Sequence, residues 1–208
     1  IQVSKLNVIQ FAEVFPINKD QSPELLLDNR HLWLRSRKQT AILKVRSTVF
    51  GAIHNYFRKN GFYEFQSPII QSTQAEGGST LFELNYFGKK LFLAQTWQLY
   101  AEPAIFALEK VYCIAPSFRA EKSKTSRHLT EYWHAEMEEA WASFTDIQYH
   151  GEKLIKHIIK EVLENNKKDL EILERDIKKL EPSLKKEFPR ITYTDALKIL
   201  KDKCKIKV

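Results

Sequence analysis

The chain is poor in the residues that cross-link, punctuate or anchor a fold. It has two cysteines, six glycines and one methionine in 208 residues. Cys113 and Cys204 lie far apart, with no second ligand at zinc spacing, which argues against a disulfide framework and for core thiols in a reducing compartment. No apolar run approaches the ~18 residues a membrane helix needs, and no leader pattern opens the chain. A membrane partner is therefore not expected, and a cytoplasmic setting is. There is no H-E-x-x-H run, and His128, His134, Glu136 and Glu138 match no zinc pattern. "AEGGST" (Ala75–Thr80) lacks the lysine and the spacing of a phosphate-binding P-loop. No Ser/His/Asp or Cys/His nucleophile arrangement stands out, and no repeat or low-complexity tract is present.

What the chain does have is basic charge and apolar bulk. Lysine and arginine outnumber acids by 33 to 26, giving a net charge of +7 and a pI near 9.2. That balance suits a polyanionic partner such as nucleic acid or a nucleotide. Hydrophobic residues make up 43% and aromatics 12%, enough for a real core and too much for a disordered chain. The first residue is Ile1, and the sequence is expected to be a segment of something longer.

Periodicity places the elements. Residues 1–20 read as a strand or two and a linker, and "QSPELLLDNR" as a loop followed by a short apolar run. Ile42, Val45, Val49, Ile53, Tyr56 and Phe57 share one helical face, so a helix is predicted from Ser36 to Asn60, stopped by Asn60-Gly61. Phe62–Ile70 alternates like a strand ending near Pro68. Lys89–Tyr100 starts as a strand, and a helix is interrupted or begun near Pro103. Lys110–Glu121 and Leu129–Trp141 read as two strands joined by a charged loop. Residues 145–180 form one or two amphipathic helices, and Thr194 is the expected N-cap of a last one. Strands and helices mix without regular βαβ alternation, which favours an α+β fold with an antiparallel sheet. Trp33 and Trp141 are expected as core or interface rings. His31, His54, His150 and His157 are expected at surface or cap positions.

The span "FRAEKSKTSRHLTEYWHAEME" (Phe118–Glu138) carries the chemistry. Strand alternation puts Tyr132, His134, Glu136 and Glu138 on one face and Trp133, Ala135 and Met137 on the other. On the preceding strand Ser117, Arg119 and Glu121 share a face. If the two strands pair, an anion-binding guanidinium, an aromatic ring and clustered carboxylates merge into one surface. The bland alternative is a solvated hairpin laced with ion pairs. Lys122, Lys124, Arg127 and His128 are candidate phosphate clamps.

These residues resemble a known family. "FRAE", a variable loop, "RHLTE" and a downstream E-x-E look like motif 2 of the class II aminoacyl-tRNA synthetases, in the aspartyl/asparaginyl branch. "NGFYEFQSPII" (Asn60–Ile70), with Pro68, resembles motif 1. "AEGGSTLFELNYFG" (Ala75–Gly88) and "LAQTWQLYAE" (Leu93–Glu102) resemble amino-acid-pocket segments. The matches occur in order and are most similar to the asparaginyl members.

The resemblance implies an antiparallel sheet flanked by helices, with ATP and Mg²⁺ as cofactors. It implies that Arg119 is catalytic, touching the ATP α-phosphate and the substrate carboxylate. Glu121, Arg127, His128 and Leu129 would hold ATP, and Tyr132 would stack under adenine. Glu76, Gln98, Arg119 and Glu136 would line the amino-acid pocket, and Glu138 would help hold Mg²⁺. Implied partners are asparagine, tRNA(Asn) and a second copy of the chain, joined through the helix and strand of residues 36–70. Ala101 stands where aspartyl relatives carry a lysine, and Glu136 and Glu138 supply the E-x-E that asparaginyl members favour.

The implied organisation is the end of an N-terminal OB domain and linker over 1–20, then a partial catalytic domain over 21–208 with a helical insertion at 145–200. A glycine-rich motif 3 ending in arginine is not found, so the segment alone is expected to be inactive. Trp97 stands where relatives have a small residue or proline, and it either reshapes the pocket or points away from it. The remaining alternatives are an aspartyl enzyme, a synthetase-derived asparagine synthetase, or a non-catalytic paralogue acting in dimerisation or RNA binding.

Overall fold

Ser36 starts the longest helix, its hydroxyl accepting the Gln39 N–H at 3.2 Å. That fills one of the donors a helix N-terminus leaves unpaired. In the computed structural model, which describes residues 2–18, 21–72, 80–122, 125 and 127–205, two short helices precede it: α1 (Pro23–Asp28) and α2 (Arg30–Trp33). The long helix, α3 (Arg37–Lys59), stops at Asn60, and Gly61 supplies the φ of +81° that the exit requires.

The remaining elements follow in order: β1 (Tyr63–Glu64), β2 (Ile70–Gln71), β3 (Glu83–Tyr86), β4 (Lys89–Leu93), α4 (Gln98–Leu108), β5 (Lys110–Phe118), β6 (Glu131–Glu139), α5 (Phe144–Asn165) and α6 (Lys167–Ile172). A 3-10 turn (Ile177–Lys179), α7 (Glu181–Lys185) and α8 (Tyr193–Asp202) complete the chain.

The strands form two three-stranded sheets, ordered β1-β5-β6 and β2-β4-β3. β5 and β6 pair antiparallel along their full length, from Lys110 opposite Glu139 to Phe118 opposite Glu131. β3 and β4 are joined at Phe87-Gly88, both in the left-handed region (φ 49° and 81°), as a tight hairpin demands. The two sheets are stitched where Phe118 N–H donates to Ala94 O (2.9 Å) and Ala120 N–H to Thr80 O (3.2 Å).

Helices cover both faces of the first sheet, and strand alternation decides what each face buries. Tyr112 and Ile114 meet Ile53, Tyr56 and Phe57 of α3, together with Phe62, Leu154 and Ile158. The Phe57 and Tyr112 rings stack at 4.8 Å. Val111 and Cys113, on the opposite face, meet Trp97 and Ala101 at the start of α4. Burial raises the Cys113 thiol to about 12, which leaves it an inert core group. Cys204, also expected in the core, is exposed; both thiols are free.

Several expectations change. No strand forms among the described residues of 1–20. The apolar run after Ser22 is helical because Ser22 caps it and Pro23 fits its first position. The alternation of Phe62–Ile70 yields two two-residue strands in different sheets, since the chain crosses between sheets there, and β1 runs parallel to β5. α4 begins at Gln98 and runs through Pro103, because packing of its first turns against β5 outweighs one lost backbone bond. The last helix is capped by Thr192, whose hydroxyl accepts the Asp195 N–H (3.1 Å), while Thr194 lies inside it.

His150 is buried rather than at the surface. Its Nδ1 lies 3.0 Å from the Tyr56 hydroxyl and its Nε2 3.2 Å from Glu139. Trp141 is 96% exposed and takes no part in the core.

Candidate active site

The β5–β6 ladder sets the site. Paired residues on neighbouring strands share a face, so the register places Ser117 beside Tyr132, Ala115 beside His134, Cys113 beside Glu136 and Val111 beside Glu138. The ladder extends past the strand ends, where Arg119 N–H donates to Thr130 O at 2.8 Å. That bond fixes the Arg119 backbone and delivers its side chain to Tyr132. One guanidinium nitrogen donates to the Tyr132 hydroxyl at 3.0 Å, and the guanidinium carbon lies 5.9 Å from the ring centroid. A cation and an aromatic face are thus held together at one end of the ledge.

Along the ledge the next groups alternate ring and carboxylate. The Tyr132 and His134 rings are 5.5 Å apart, and His134 Nδ1 is 3.4 Å from Glu136 Oε1. Glu136 is turned onto the start of α4: Oε1 accepts the Thr96 hydroxyl and Oε2 the Trp97 N–H at 3.1 Å. A carboxylate at this position answers unpaired amides and the positive end of the helix dipole. Thr96 in turn accepts the Gln98 N–H at 3.1 Å. The Gln98 side-chain amide donates to Glu102 at 3.0 Å.

Glu138 closes the row. Burial, then the neighbouring Glu102 and Glu136, raise its carboxyl above the ordinary range. This end of the ledge carries crowded negative charge, while the Arg119 end carries positive charge. Such polarity suits a ligand with an anionic centre near Arg119 and a cation near Glu138.

The second sheet forms a wall beside the ledge. Ser117 Oγ donates to Gln95 O at 2.6 Å, and the Gln95 amide donates to Thr80 O at 3.3 Å. Trp97, flagged as a possible pocket-reshaping residue, is 2% exposed and packs against Ala101, Val111 and Cys113. It is buried on the same face of the sheet as the ledge, packed on Val111 and Cys113 beside Glu136 and Glu138. Ala101 is fully buried in the same cluster.

The structure therefore brings Arg119, Tyr132, Glu136, Glu138 and Gln98 around one surface. Glu121, Arg127, His128 and Leu129 lie exposed beyond the strand ends. There His128 Nδ1 is 2.7 Å from the Thr125 hydroxyl, which also accepts the Arg127 N–H at 3.3 Å. Glu76 and Lys124 lie outside the described residues. Thr96 and Glu102 were not singled out from sequence. Glu102 sits four residues after Gln98 on a helix, the spacing that makes side chains meet.

The opposite face of β6 differs from the uniformly apolar one expected. Met137 packs into the core, but Trp133 is 51% exposed, its ring meeting Phe50 of α3 edge-on at 5.7 Å.

Comparison with known proteins bears on these features. Residues 22–208 match the profile of class II tRNA synthetases (D, K and N). The chain is 50% identical over 199 residues to an asparagine–tRNA ligase of Thermoplasma acidophilum, covering 96% of this chain and 46% of that protein. It is 47% identical over 203 residues to the asparagine–tRNA ligase of Thermococcus kodakarensis, covering 98% and 47%. Its fold superposes on the asparaginyl-tRNA synthetase of Pyrococcus horikoshii complexed with asparaginyl-adenylate with a TM-score of 0.89 and 46% identity, covering 96% of this chain and 46% of that one. The chain spans a little under half the length of these relatives. A guanidinium–tyrosine pair at the end of a long antiparallel ladder, an E-x-E on the same face, and a profile match across nearly the whole chain agree: the chain belongs to the class II tRNA synthetases of the D, K and N group.

Proposed function

We propose that this chain is the part of an asparaginyl-tRNA synthetase that grips ATP and asparagine for adenylate formation, the product then being passed to tRNA(Asn). The observation that carries this is the Arg119–Tyr132 pair: a fixed guanidinium 3.0 Å from a tyrosine hydroxyl on the same face as Glu136 and Glu138. Identity of 47–50% to asparagine–tRNA ligases supports the choice of reaction.

In that reaction the asparagine carboxylate attacks the α-phosphorus of ATP. The bond to the bridging oxygen breaks and pyrophosphate leaves. No protein base is needed; positioning and charge neutralisation carry the step. Arg119 neutralises charge on the α-phosphate and draws the substrate carboxylate toward it. Tyr132 presents its ring to adenine, while its hydroxyl holds the guanidinium in place. Glu121, Arg127, His128 and Leu129 hold ATP, with His128 near the outer phosphates. Glu136 acts by fixing the start of α4, so that Gln98 faces the amino-acid side chain. Glu76 would receive the substrate ammonium.

Mg²⁺ suits this chemistry, since it takes hard oxygen donors and binds through one or two carboxylates plus phosphates. Glu138, crowded by Glu102 and Glu136, is such a donor. Among the described residues no set of three ligating side chains forms a cage, so the nucleotide phosphates would complete the shell. Bound there, Mg²⁺ would offset the charge of the phosphates.

A neutral substrate side chain fits better than an acidic one. Ala101 is buried, so no cation stands at that position to pair with an aspartate carboxylate. Residues 1–20 are read as the end of an OB domain and linker, and 21–208 as the partial catalytic domain, with 145–200 a helical insertion. The protein is placed in the cytoplasm, where translation occurs. Among the described residues no helix is long and apolar enough to cross a membrane. A homodimer would form through α3 and the following strand, where Leu43, Phe50 and Trp133 line a shallow apolar depression.

The test is ATP–pyrophosphate exchange by the complete translated product that contains this chain, with asparagine and aspartate compared. Exchange with asparagine and an Arg119→Ala variant that folds but does not exchange are expected. Preference for aspartate would move the protein to the aspartyl side. No exchange with either would leave a non-catalytic binding role.

A further inference from the structure

Gln98 stands at the first position of α4 and Glu102 four residues on, so the two side chains meet on one face of the helix. The Gln98 side-chain N–H donates to Glu102 Oε1 at 3.0 Å. An exposed pair of this kind does little for a helix by itself. This pair lies beside the ledge: the Glu102 charge acts on Glu138 and helps to raise its carboxyl. A third carboxylate near Glu136 and Glu138 is costly through like-charge repulsion. The packing of α4 does not require it, since the Glu102 side chain is exposed.

The two edges of an amide are not equivalent. Its nitrogen donates twice and its oxygen only accepts, and an ionised carboxylate also only accepts. Glu102 can therefore be answered by the Gln98 nitrogen alone; a flipped amide would set oxygen against oxygen. The contact removes an ambiguity that a glutamine by itself leaves. The Gln98 backbone is fixed as well. Its N–H donates to Thr96 Oγ at 3.1 Å, and the Thr96 hydroxyl donates to Glu136.

We propose that Glu102 is a specificity-determining positioning residue: by holding the Gln98 nitrogen, it makes Gln98 offer its carbonyl oxygen to the side-chain amide of the bound amino acid. This role rests on the reading of the ledge as a site that activates asparagine. An asparagine side chain answers that oxygen with its own N–H. An aspartate carboxylate has only acceptors, and it meets the Gln98 oxygen together with the charges of Glu102 and Glu138. Ala101 merely withholds an attraction from the acid; the Glu102–Gln98 pair adds a rejection.

The test uses the complete translated product that contains this chain. The probes are non-hydrolysable sulfamoyl analogues of asparaginyl- and aspartyl-adenylate, with binding measured by calorimetry. The parent is expected to prefer the asparaginyl analogue. Glu102→Gln keeps the size of the side chain, but its amide can donate or accept, so Gln98 can turn either edge to the ligand. The preference is expected to fall about tenfold, the worth of roughly one hydrogen bond, chiefly through tighter binding of the aspartyl analogue. Glu109→Gln, which removes the same charge beyond the other end of α4, is expected to keep the parent's preference. Pyrophosphate exchange gives a second readout: in Glu102→Gln the aspartate KM falls against the asparagine KM, while the ATP KM is unchanged. Equal changes in the two analogues' affinities, or the same loss of preference in Glu109→Gln, would overturn the role of Glu102. A parent preference that Glu102→Gln retains would overturn this role alone. A parent that binds the asparaginyl analogue no better than the aspartyl one would overturn it together with the asparagine reading.

Discussion

Glu136 on β6 accepts the backbone N–H of Trp97 at 3.1 Å, and this one bond ties the sheet to the start of the next layer's helix. The carboxylate's other oxygen takes the Thr96 hydroxyl. A residue that the family resemblance implies for the substrate pocket thus has both oxygens engaged by the protein, one of them through Thr96, which accepts the Gln98 N–H.

Removing that anchor has a measurable cost. Glu136→Ala leaves the Trp97 amide and the Thr96 hydroxyl without their acceptor, and an expected loss of about 1–3 kcal/mol follows from stranding partly buried donors. Glu136→Gln keeps an acceptor oxygen and loses less. Urea unfolding midpoints at constant m-value check the order. Equal midpoints for parent and alanine variant would show that the contact does not stabilise α4.

Trp97 belongs to the core. Trp97→Ala is expected to cost about 3–5 kcal/mol, the range for emptying a large aromatic site. Trp97→Phe costs less than the lost volume suggests, because the indole N–H is buried without an acceptor among the described residues and its removal relieves that penalty. Thermal unfolding of the two variants measures the difference. In the complete protein neither should change the choice between asparagine and aspartate among molecules that fold.

Glu152 gives a pH signature. It is buried and receives Lys156 at 2.5 Å and Arg190 at 2.8 Å, pinning the segment after α7 onto α5. The Lys156 hydrogen bond, with Arg190, holds its carboxyl below the ordinary glutamate range. A carboxylate lowered in the folded state contributes stability that is present above the unfolded value and lost as pH falls through the folded one. Glu152→Gln is therefore expected to be less stable than the parent near neutrality. The gap should close as pH drops below about 4.3, the unfolded value for glutamate. Denaturation curves at a series of pH values would show it, and a gap that persists at low pH would reject the linkage.

Tyr132 separates two roles in one side chain. Tyr132→Phe keeps the ring but frees Arg119 from the hydroxyl; Tyr132→Ala removes both. In the complete protein, pyrophosphate exchange is expected to fall mainly in kcat for phenylalanine, and in both kcat and ATP KM for alanine. Equal KM values in all three would remove the ring from nucleotide binding.

The apolar depression of Leu43, Phe50 and Trp133 is the expected self-association surface. Trp133 is half exposed, so Trp133→Glu disturbs little of the folded core. It should shift the chain from dimer to monomer in sedimentation equilibrium. An unchanged mass distribution would place the contact elsewhere.

Local sequence legibility had limits that particular residues explain. α3 was readable at both ends because an N-cap serine, an apolar stripe and an Asn-Gly exit act within a few residues. Thr192 was missed in favour of Thr194 because both precede an apolar run, and only the hydroxyl's reach to Asp195 N–H decides between them. His150 looked like a surface group because nothing nearby in sequence shows that Tyr56 and Glu139 await it. Trp97 stayed open between reshaping the pocket and pointing away because only its place in a pocket-like segment is local; its packing against Ala101, Val111 and Cys113 is not.

The sequence by itself determined which side chains share a face, because strand alternation is a property of the backbone, and it determined the family through ordered local motifs. Tertiary structure decided the register of β5 on β6, and with it that Arg119 reaches Tyr132 while Glu136 reaches α4. Those contacts join residues far apart in the chain. Their geometry depends on packing against α3 and α4 that no local pattern encodes.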